Sequence, residues 1–295
     1  APSSGLAEAR GGEVGTSLAA GESQRSQGLA GTLPRPVHWL HVPKCGTSFI
    51  NTLIHLPGVC PGIPASALVD GDPHTGAPFK PLDTFWATFP NLEAVCPGSF
   101  FDTGKLGKHD GLGNAYDAYK GRIVTFLRDP RSRIISSFHD DQHDWPYPTP
   151  ARSLLEYAEV VQGCAVRTFT REGTWHENAT NVCGGPSPAT EAEVQLAIFR
   201  LQHGVAFVGL TDKWDLSICL FHSMYGGDCA ASDLVNMRAG KHHSVDAKAD
   251  QDLESFEDWA DGQLYAAAQS MFEERLRTYG VTSESCGRCV AAASA

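Results

Sequence analysis

The sequence predicts an α/β fold in which a central, mostly parallel sheet is flanked by helices. Three short apolar runs, at 37–42, 122–127 and 205–210, have the length and composition of buried strands. Each run is followed by a segment in which apolar residues recur at helical spacing. Because repeated strand-then-helix units favour strands that run in one direction, we expect one sheet with helices packed on its faces.

The helical segments after the three strands each carry an apolar stripe. The stripes comprise Phe49, Ile50, Leu53 and Ile54, then Ile134, Ile135 and Phe138, and finally Leu216, Cys219 and Leu220. Two further helices are predicted, one starting at a capping box of Thr190 and Glu193 and one over 263–279. Segments 57–121 and 139–150 are rich in Pro and Gly or weakly periodic, and we expect substrate-facing loops there.

Composition restricts the class of partner. The chain has 295 residues, with 34 acidic and 23 basic side chains and a net charge of −11. A broad grip on nucleic acid is therefore not expected, and any bound anion should sit in a local pocket.

Residues 1–36 are rich in Gly, Ala and Ser and are predicted to form a disordered stem. No run of about 18 apolar residues occurs, so membrane attachment would need a segment outside this chain.

Nine cysteines are present, and the odd number requires at least one to stay free or to pair between chains. Cys286 and Cys289 form a CxxC without a second pair at zinc-finger spacing, so we expect a local disulfide or free thiols and no metal. The triplet Asn178-Ala179-Thr180 is an acceptor for N-glycosylation in a secretory protein. Together these features favour an oxidising, lumenal compartment.

A first anion-binding loop is indicated by HVPKCGTSF, residues 41–49. It lies between a predicted strand and a predicted helix, where backbone N–H groups and the positive helix end can face a phosphate. Gly46 permits close approach of the backbone, Lys44 supplies a mobile charge, and Thr47 and Ser48 supply hydroxyls. Because the pattern lacks the first glycine of GxxxxGK[ST], we expect it to hold one terminal phosphate. The alternative is an ordinary strand-to-helix turn.

A second anion site is indicated by FLRDPRSRIISSFHD, residues 126–140. Arg128 ends the second strand, Pro130 breaks it, and Ser136 lies about two turns into the next helix. An arginine and a serine so placed can converge on one phosphate, with the guanidinium making two parallel hydrogen bonds. The alternative is a surface ion pair between Arg128 and Asp129.

The two motifs in this order, strand-PKxGTSF-helix and strand-LRDPxxRxxSxF-helix, resemble the paired signature of sulfotransferases that use 3′-phosphoadenosine 5′-phosphosulfate (PAPS). The variant is most similar to the Golgi-type carbohydrate sulfotransferases, including the uronyl 2-O and galactose enzymes. Stretches 207–226 and 264–280 resemble the third strand with its helix and the closing helix of that family. The resemblance implies a P-loop-like three-layer fold, a sulfotransferase domain at 37–280, a CxxC-bearing tail at 281–295 and a Golgi lumenal location.

The resemblance also implies roles for particular residues. Arg128 and Ser136 would hold the 3′-phosphate, and Arg238 or Lys241 would close over the nucleotide. Cys45 stands where the family more often has a small polar residue, but binding at that point uses the backbone. The 5′ end of PAPS would be held by Lys44, Cys45, Gly46, Thr47 and Ser48.

In-line sulfuryl transfer needs a base for the acceptor hydroxyl and a positive charge on the leaving oxygen, and it needs no metal. Lys44 would supply the charge. His109 is the preferred base, because the family places a His or Glu between its two motifs. Trp145 and Tyr147 would line the acceptor groove or anchor a rigid loop. The competing candidates for the base are Glu93, Asp110, His139 and His143.

The net charge favours a neutral glycan or a small hydroxylated molecule as acceptor over a sulfated polyanion. The alternative enzyme is a P-loop kinase-like phosphotransferase, which should carry a full Walker loop and a Mg²⁺-binding Asp at a strand end. A catalytically silent relative that binds nucleotide or glycan is the alternative that is not an enzyme.

Overall fold

A computed structural model describes residues 31–69, 85, 87–99, 109–173, 182–185, 187–236 and 252–293. Within them, a parallel sheet has the strand order β1-β2-β3, in which β2 pairs with both neighbours. The strands are β1 (His38–Leu40), β2 (Ile123–Leu127) and β3 (Val205–Leu210). The predicted α/β class with a parallel sheet is confirmed, although β1 is shorter than the apolar run that predicted it. The predicted stem falls mostly outside the described residues.

Helices follow each strand and fill the connections between strands. The longer ones surround the sheet, and short 3-10 turns occur at Gly113–Ala115, Thr211–Lys213 and Ala231–Leu234. In chain order, the helices whose bounds fall within the described residues are α1 (Phe49–His55), α2 (Leu92–Val95), α3 (Tyr116–Tyr119), α4 (Pro130–Phe138), α5 (Leu154–Val161), α6 (Cys164–Thr170), α7 (Glu191–Gly204), α8 (Trp214–Tyr225), α9 (Trp259–Tyr279) and α10 (Ser283–Ala293).

Both faces of the sheet are covered. Every residue of β2 is buried, as expected of a central strand in a parallel sheet. On one face, the ring of Phe126 lies 4.7 Å from that of Phe49 in α1 and 4.8 Å from that of Trp214 in α8. On the opposite face, Leu127 borders a small cleft together with Leu264 of α9. Because side chains alternate along a strand, helices therefore pack on both sides.

Helix starts follow the capping signals in the sequence. The capping box of Thr190 and Glu193 is present at the start of α7, as predicted. Helix α4 begins at Pro130, and the carboxylate of Asp129 accepts a hydrogen bond from the backbone N–H of Ser132 (2.8 Å). Helix α9 begins at Trp259, one turn before the predicted start, because Asp258 caps it.

All nine cysteines lie in the described part of the chain, and eight of them form disulfides. The pairs are Cys60–Cys96, Cys164–Cys183, Cys219–Cys286 and Cys229–Cys289, and Cys45 is a buried free thiol. The predicted local disulfide of the CxxC is therefore wrong. Cys286 and Cys289 lie three residues apart on α10, where helical geometry directs both side chains to one face and to separate partners. Four disulfides indicate that the chain matures in an oxidising compartment.

Among the described residues, we find no helix with the combined length and apolar character needed to cross a bilayer.

Candidate functional site

The two motif loops meet at the carboxyl ends of β1 and β2. Cys45, in the loop after β1, and Arg128, directly after β2, line the same small cleft. The backbone N–H of Arg128 also faces the thiol of Cys45 as a hydrogen-bond donor. The other residues that line the cleft are Leu127, Arg133, Ala165, Asp261, Leu264 and Tyr265. Parallel pairing of adjacent strands thus places the two motifs side by side.

The backbone of the first loop is left-handed at Lys44 (φ 63°) and at Gly46 (φ 80°). A Cβ added at Gly46 would lie 2.9 Å from the ring of Trp214 and 3.3 Å from Cβ of Phe126. The glycine is therefore required by the packing of the core against the loop as well as by backbone conformation. This packing is a reason for glycine in addition to close approach to a phosphate, which is the reason that the sequence suggested.

Lys44 connects the first loop to the segment after α4. Its Nζ lies 2.7 Å from Oδ2 of Asp140, and its side chain is 13% exposed. An anion that binds at Lys44 must therefore share the ammonium with Asp140 or displace it. Asp140 was not identified from the sequence, since nothing in the spacing of the two residues indicates that they meet.

Three histidines, His41, His109 and His143, form a row of neighbouring side chains that begins beside the first loop and includes the predicted base. His41 lies between β1 and the loop and is buried, with its Nε2 3.2 Å from Oγ1 of Thr47. Its ring centroid lies 4.5 Å from that of His109. Nδ1 of His109 in turn lies 3.3 Å from Nε2 of His143, which is 3.9 Å from Oδ2 of Asp144. The sequence indicated His109 and His143 as separate candidates, and the structure brings them together.

His41 is the member of this row that sequence reasoning missed. It directly follows β1, in an apolar stretch where an isolated histidine resembles a core residue. Its ring stacks on Trp39 at a centroid distance of 4.4 Å, which fixes its orientation. The available signal was its position two residues before the PKCGTSF loop.

The remaining candidates for the base lie elsewhere. Glu93 is exposed in the first turn of α2, and His139 is exposed at the end of α4. Asp110 is half-buried and follows His109 directly.

Of the two aromatic candidates for the acceptor groove, Trp145 is packed against its neighbours and Tyr147 is exposed. Trp145 stacks on Tyr157 at a centroid distance of 5.8 Å, and its Nε1 donates to the carbonyl of Thr149 (2.7 Å). Tyr147 contacts Trp145 edge-on and is 49% exposed. Trp145 therefore acts as an anchor for its loop, while Tyr147 presents its ring to solvent.

Ser48 and Ser136 are both half-buried, at the start of α1 and on α4. The hydroxyl of the next residue, Ser137, donates to the carbonyl of His143 (3.1 Å). Arg238 and Lys241 lie outside the described residues.

Two of the residues that line the cleft, Arg133 and Asp261, are charged and buried. The carboxylate of Asp261 accepts the N–H groups of Ala165 (3.0 Å) and Val166 (2.9 Å), and so caps α6. Arg133 is fully buried, with its Nε 3.6 Å from Oδ2 of Asp261. Burial tends to lower the pKa of Arg133, but Asp261 and Asp258 more than offset this and raise it.

Two groups in the cleft differ in charge state. Burial lowers the pKa of Arg128, which is only half-buried and keeps its positive charge at neutral pH. Burial raises the pKa of the Cys45 thiol to about 12, so it stays protonated there. The cleft therefore offers the positive charge of Arg128 without a competing thiolate, whereas Arg133 beside it is paired with Asp261.

A scan against protein-family models gives no match for this chain, and a search of curated proteins finds no significant relative.

Proposed function

We propose that the protein is a PAPS-dependent sulfotransferase with a P-loop-like three-layer fold. The observation that carries the proposal is that Cys45 of PKCGTSF and Arg128 of LRDP line one cleft at the ends of adjacent parallel strands. Two anion motifs that were recognised independently along the sequence are thus neighbours in space. Parallel pairing of β1 and β2 allows one nucleotide to contact both motifs at once, as the paired signature requires.

In the proposed complex, the loop from Lys44 to Ser48 holds the phosphosulfate end through backbone N–H groups and hydroxyls. The backbone N–H of Cys45, expected from the sequence to bind there, instead donates to the carbonyl of Val42 (3.1 Å). Arg128 binds the 3′-phosphate with Ser136, because a planar guanidinium can donate two parallel hydrogen bonds to two phosphate oxygens. Arg238 and Lys241 stay candidates for closing over the nucleotide.

In the proposed transfer, the bond between sulfur and the phosphate bridging oxygen breaks as a bond forms between sulfur and the acceptor oxygen. Lys44 stabilises the charge that develops on the leaving oxygen, once the incoming phosphate shares or displaces its contact with Asp140. His109 accepts the proton of the acceptor hydroxyl through Nε2, since its Nδ1 faces His143. The products are the sulfate ester and 3′-phosphoadenosine 5′-phosphate.

The proposed acceptor is a neutral glycan or a small hydroxylated molecule, and the proposed location is the Golgi lumen. A net charge of −11 disfavours a long sulfated polyanion. The exposed ring of Tyr147 provides a surface on which a sugar can pack. Four disulfides suit a lumenal enzyme.

Calorimetric titration with 3′-phosphoadenosine 5′-phosphate in EDTA tests the nucleotide site. We expect metal-independent binding that weakens by about ten- to hundredfold in Arg128→Ala, because a hydrogen-bonded charge pair is lost. Arg152→Ala is the matched control, since Arg152 is 87% exposed and pairs with Glu156 on the surface. Binding of ATP with Mg²⁺ in place of this nucleotide, or no binding at all, would contradict the proposal.

A further inference from the structure

We propose that His109, His143 and Asp144 form a binding site for a divalent transition-metal ion of the zinc class. Each residue offers one ligand atom, and the three atoms lie within 4.8 Å of one another. Two imidazoles and a carboxylate form a common donor set of protein zinc sites that keep a fourth position for water. This site goes beyond the proposed sulfuryl transfer, which needs no metal.

The distances between the ligand atoms suit tetrahedral coordination. Two nitrogens that each lie about 2.0–2.1 Å from one zinc ion are about 3.3–3.4 Å apart at the tetrahedral angle. Nδ1 of His109 and Nε2 of His143 are 3.3 Å apart. Oδ2 of Asp144 is 3.9 Å from Nε2 of His143, so a small rotation of the carboxylate would complete three protein ligands.

Burial of Asp144 favours a cation at this place. Its side chain is 1% exposed, and that of His143 is 13% exposed. A carboxylate taken out of water is stabilised by a nearby positive charge, which a divalent ion supplies without requiring either imidazole to be protonated.

The segment that carries His143 and Asp144 is held in one conformation. The backbone N–H of His143 donates to the carbonyl of Ser137 (3.0 Å). The carbonyl of His143 accepts hydrogen bonds from the hydroxyls of Ser137 (3.1 Å) and Tyr157. Asp144 itself has a left-handed backbone (φ 70°), which is uncommon for a residue with a side chain. The two ligands are thus positioned by the fold before any metal binds.

The third ligand comes from a second, separately anchored segment. His109 contacts the ring of His41, which is itself stacked on Trp39. Three residues later, the N–H of Leu112 donates to the carbonyl of Thr168 in α6 (2.8 Å). The ring contact with His41 and the anchoring of Leu112 therefore restrict the position of His109.

Metal binding and the proposed role of His109 exclude each other. An imidazole that coordinates a metal through Nδ1 carries its proton on Nε2, so it cannot accept another from an acceptor hydroxyl. Loading the site would therefore stop sulfuryl transfer. This consequence depends on the proposed function, whereas metal binding itself does not.

The test is calorimetric titration of the full chain with ZnCl2 after treatment with EDTA and its removal. The disulfides are kept intact, because Cys164 and Cys183 lie close to Asp144 and would offer thiolates if reduced. We expect one zinc per chain, and an affinity reduced by more than about hundredfold in His109→Ala and His143→Ala, since even outer contacts contribute 10- to 100-fold. His203→Ala, which removes an exposed histidine of α7, is the control and should not change the affinity.

A measurement on the unaltered chain covers the case in which a variant fails to fold. Zinc should protect His109 and His143 from diethyl pyrocarbonate, read by peptide mass spectrometry, while His203 still reacts. Absence of stoichiometric zinc binding, a zinc affinity in the His109→Ala and His143→Ala variants equal to that of the wild type, or unprotected His109 and His143 would each overturn the proposal. The nucleotide titration above is carried out in EDTA, so the two proposals can fail separately.

Discussion

Gly46 lies where the first loop contacts the core, and two separate constraints require glycine at this position. Its backbone is left-handed, and the space beside its Cα is occupied by Trp214 and Phe126. From the sequence, the glycine indicated only a tight turn or an approach to phosphate. The contact with Trp214 was not predictable, because it joins residues that are far apart along the chain and depends on how α8 packs.

Gly46→Ala should destabilise the protein by more than the strain of a left-handed alanine, which is about 1–2 kcal/mol. The added methyl group meets the ring of Trp214 at 2.9 Å, and overpacking of this kind costs about a further 1–3 kcal/mol. Urea unfolding of each variant measures the loss. Gly121→Ala is the matched control, because Gly121 has the same φ of 80° and no atom within 4 Å of the added Cβ. Equal losses in the two variants would show that the ring of Trp214 imposes no packing cost.

At the scale of single elements, sequence signals at a helix start are local, although the cap at Asp258 was missed and α9 begins one turn earlier than predicted. The capping box of α7 was predicted and is present, with Oε1 of Glu193 also 2.6 Å from Nε of Arg171. Arg171 was not predicted as a partner, since it lies 22 residues earlier and reaches Glu193 only through the fold. The same limit applies to Lys44 and Asp140, which are 96 residues apart.

Glu193→Gln should lower stability at neutral pH by about 1–2 kcal/mol, through loss of the charged cap and its ion pair. Hydrogen bonds from Arg171 lower the pKa of Glu193 from 4.5 to about 2. A carboxyl whose pKa is lower in the folded state stabilises it above pH 4.5, and this contribution fades as the pH falls through 2. Urea unfolding at pH 7 and pH 3 should therefore show a larger difference between wild type and variant at pH 7. Glu191→Gln, at an exposed first-turn position of the same helix, is the control. A difference that grows toward acid pH would refute this assignment.

At the scale of the whole molecule, the sequence indicated the parallel sheet because strand-then-helix periodicity repeats three times. It did not reveal how Cys286 and Cys289 are paired, because their partners depend on which segments α10 approaches. The histidine row was only half predictable. His109 was indicated by resemblance, whereas His41 and Asp144 join it only through the packing of three chain segments.

The disulfide pattern makes a direct prediction. Peptide mapping without reduction should find Cys286 joined to Cys219 and Cys289 joined to Cys229. Thiol titration should give one reactive group per chain in urea and none in the native protein, since Cys45 is buried and its pKa is raised to about 12. A Cys286–Cys289 bond, or rapid labelling of Cys45 in the native state, would contradict the fold described above.

Transfer of the radiolabelled sulfuryl group of PAPS to a panel of neutral glycans and sulfated polyanions, in EDTA, tests the proposed sulfotransferase activity most directly. We expect transfer to a neutral acceptor, loss of transfer in Arg128→Ala and its retention in Arg152→Ala. In His109→Gln we expect binding of 3′-phosphoadenosine 5′-phosphate with transfer slowed by about 10²- to 10⁴-fold, because a general base is removed. Nucleotide binding without transfer to any acceptor would instead identify a silent relative, and transfer that is unchanged in Arg128→Ala would contradict the site proposed here.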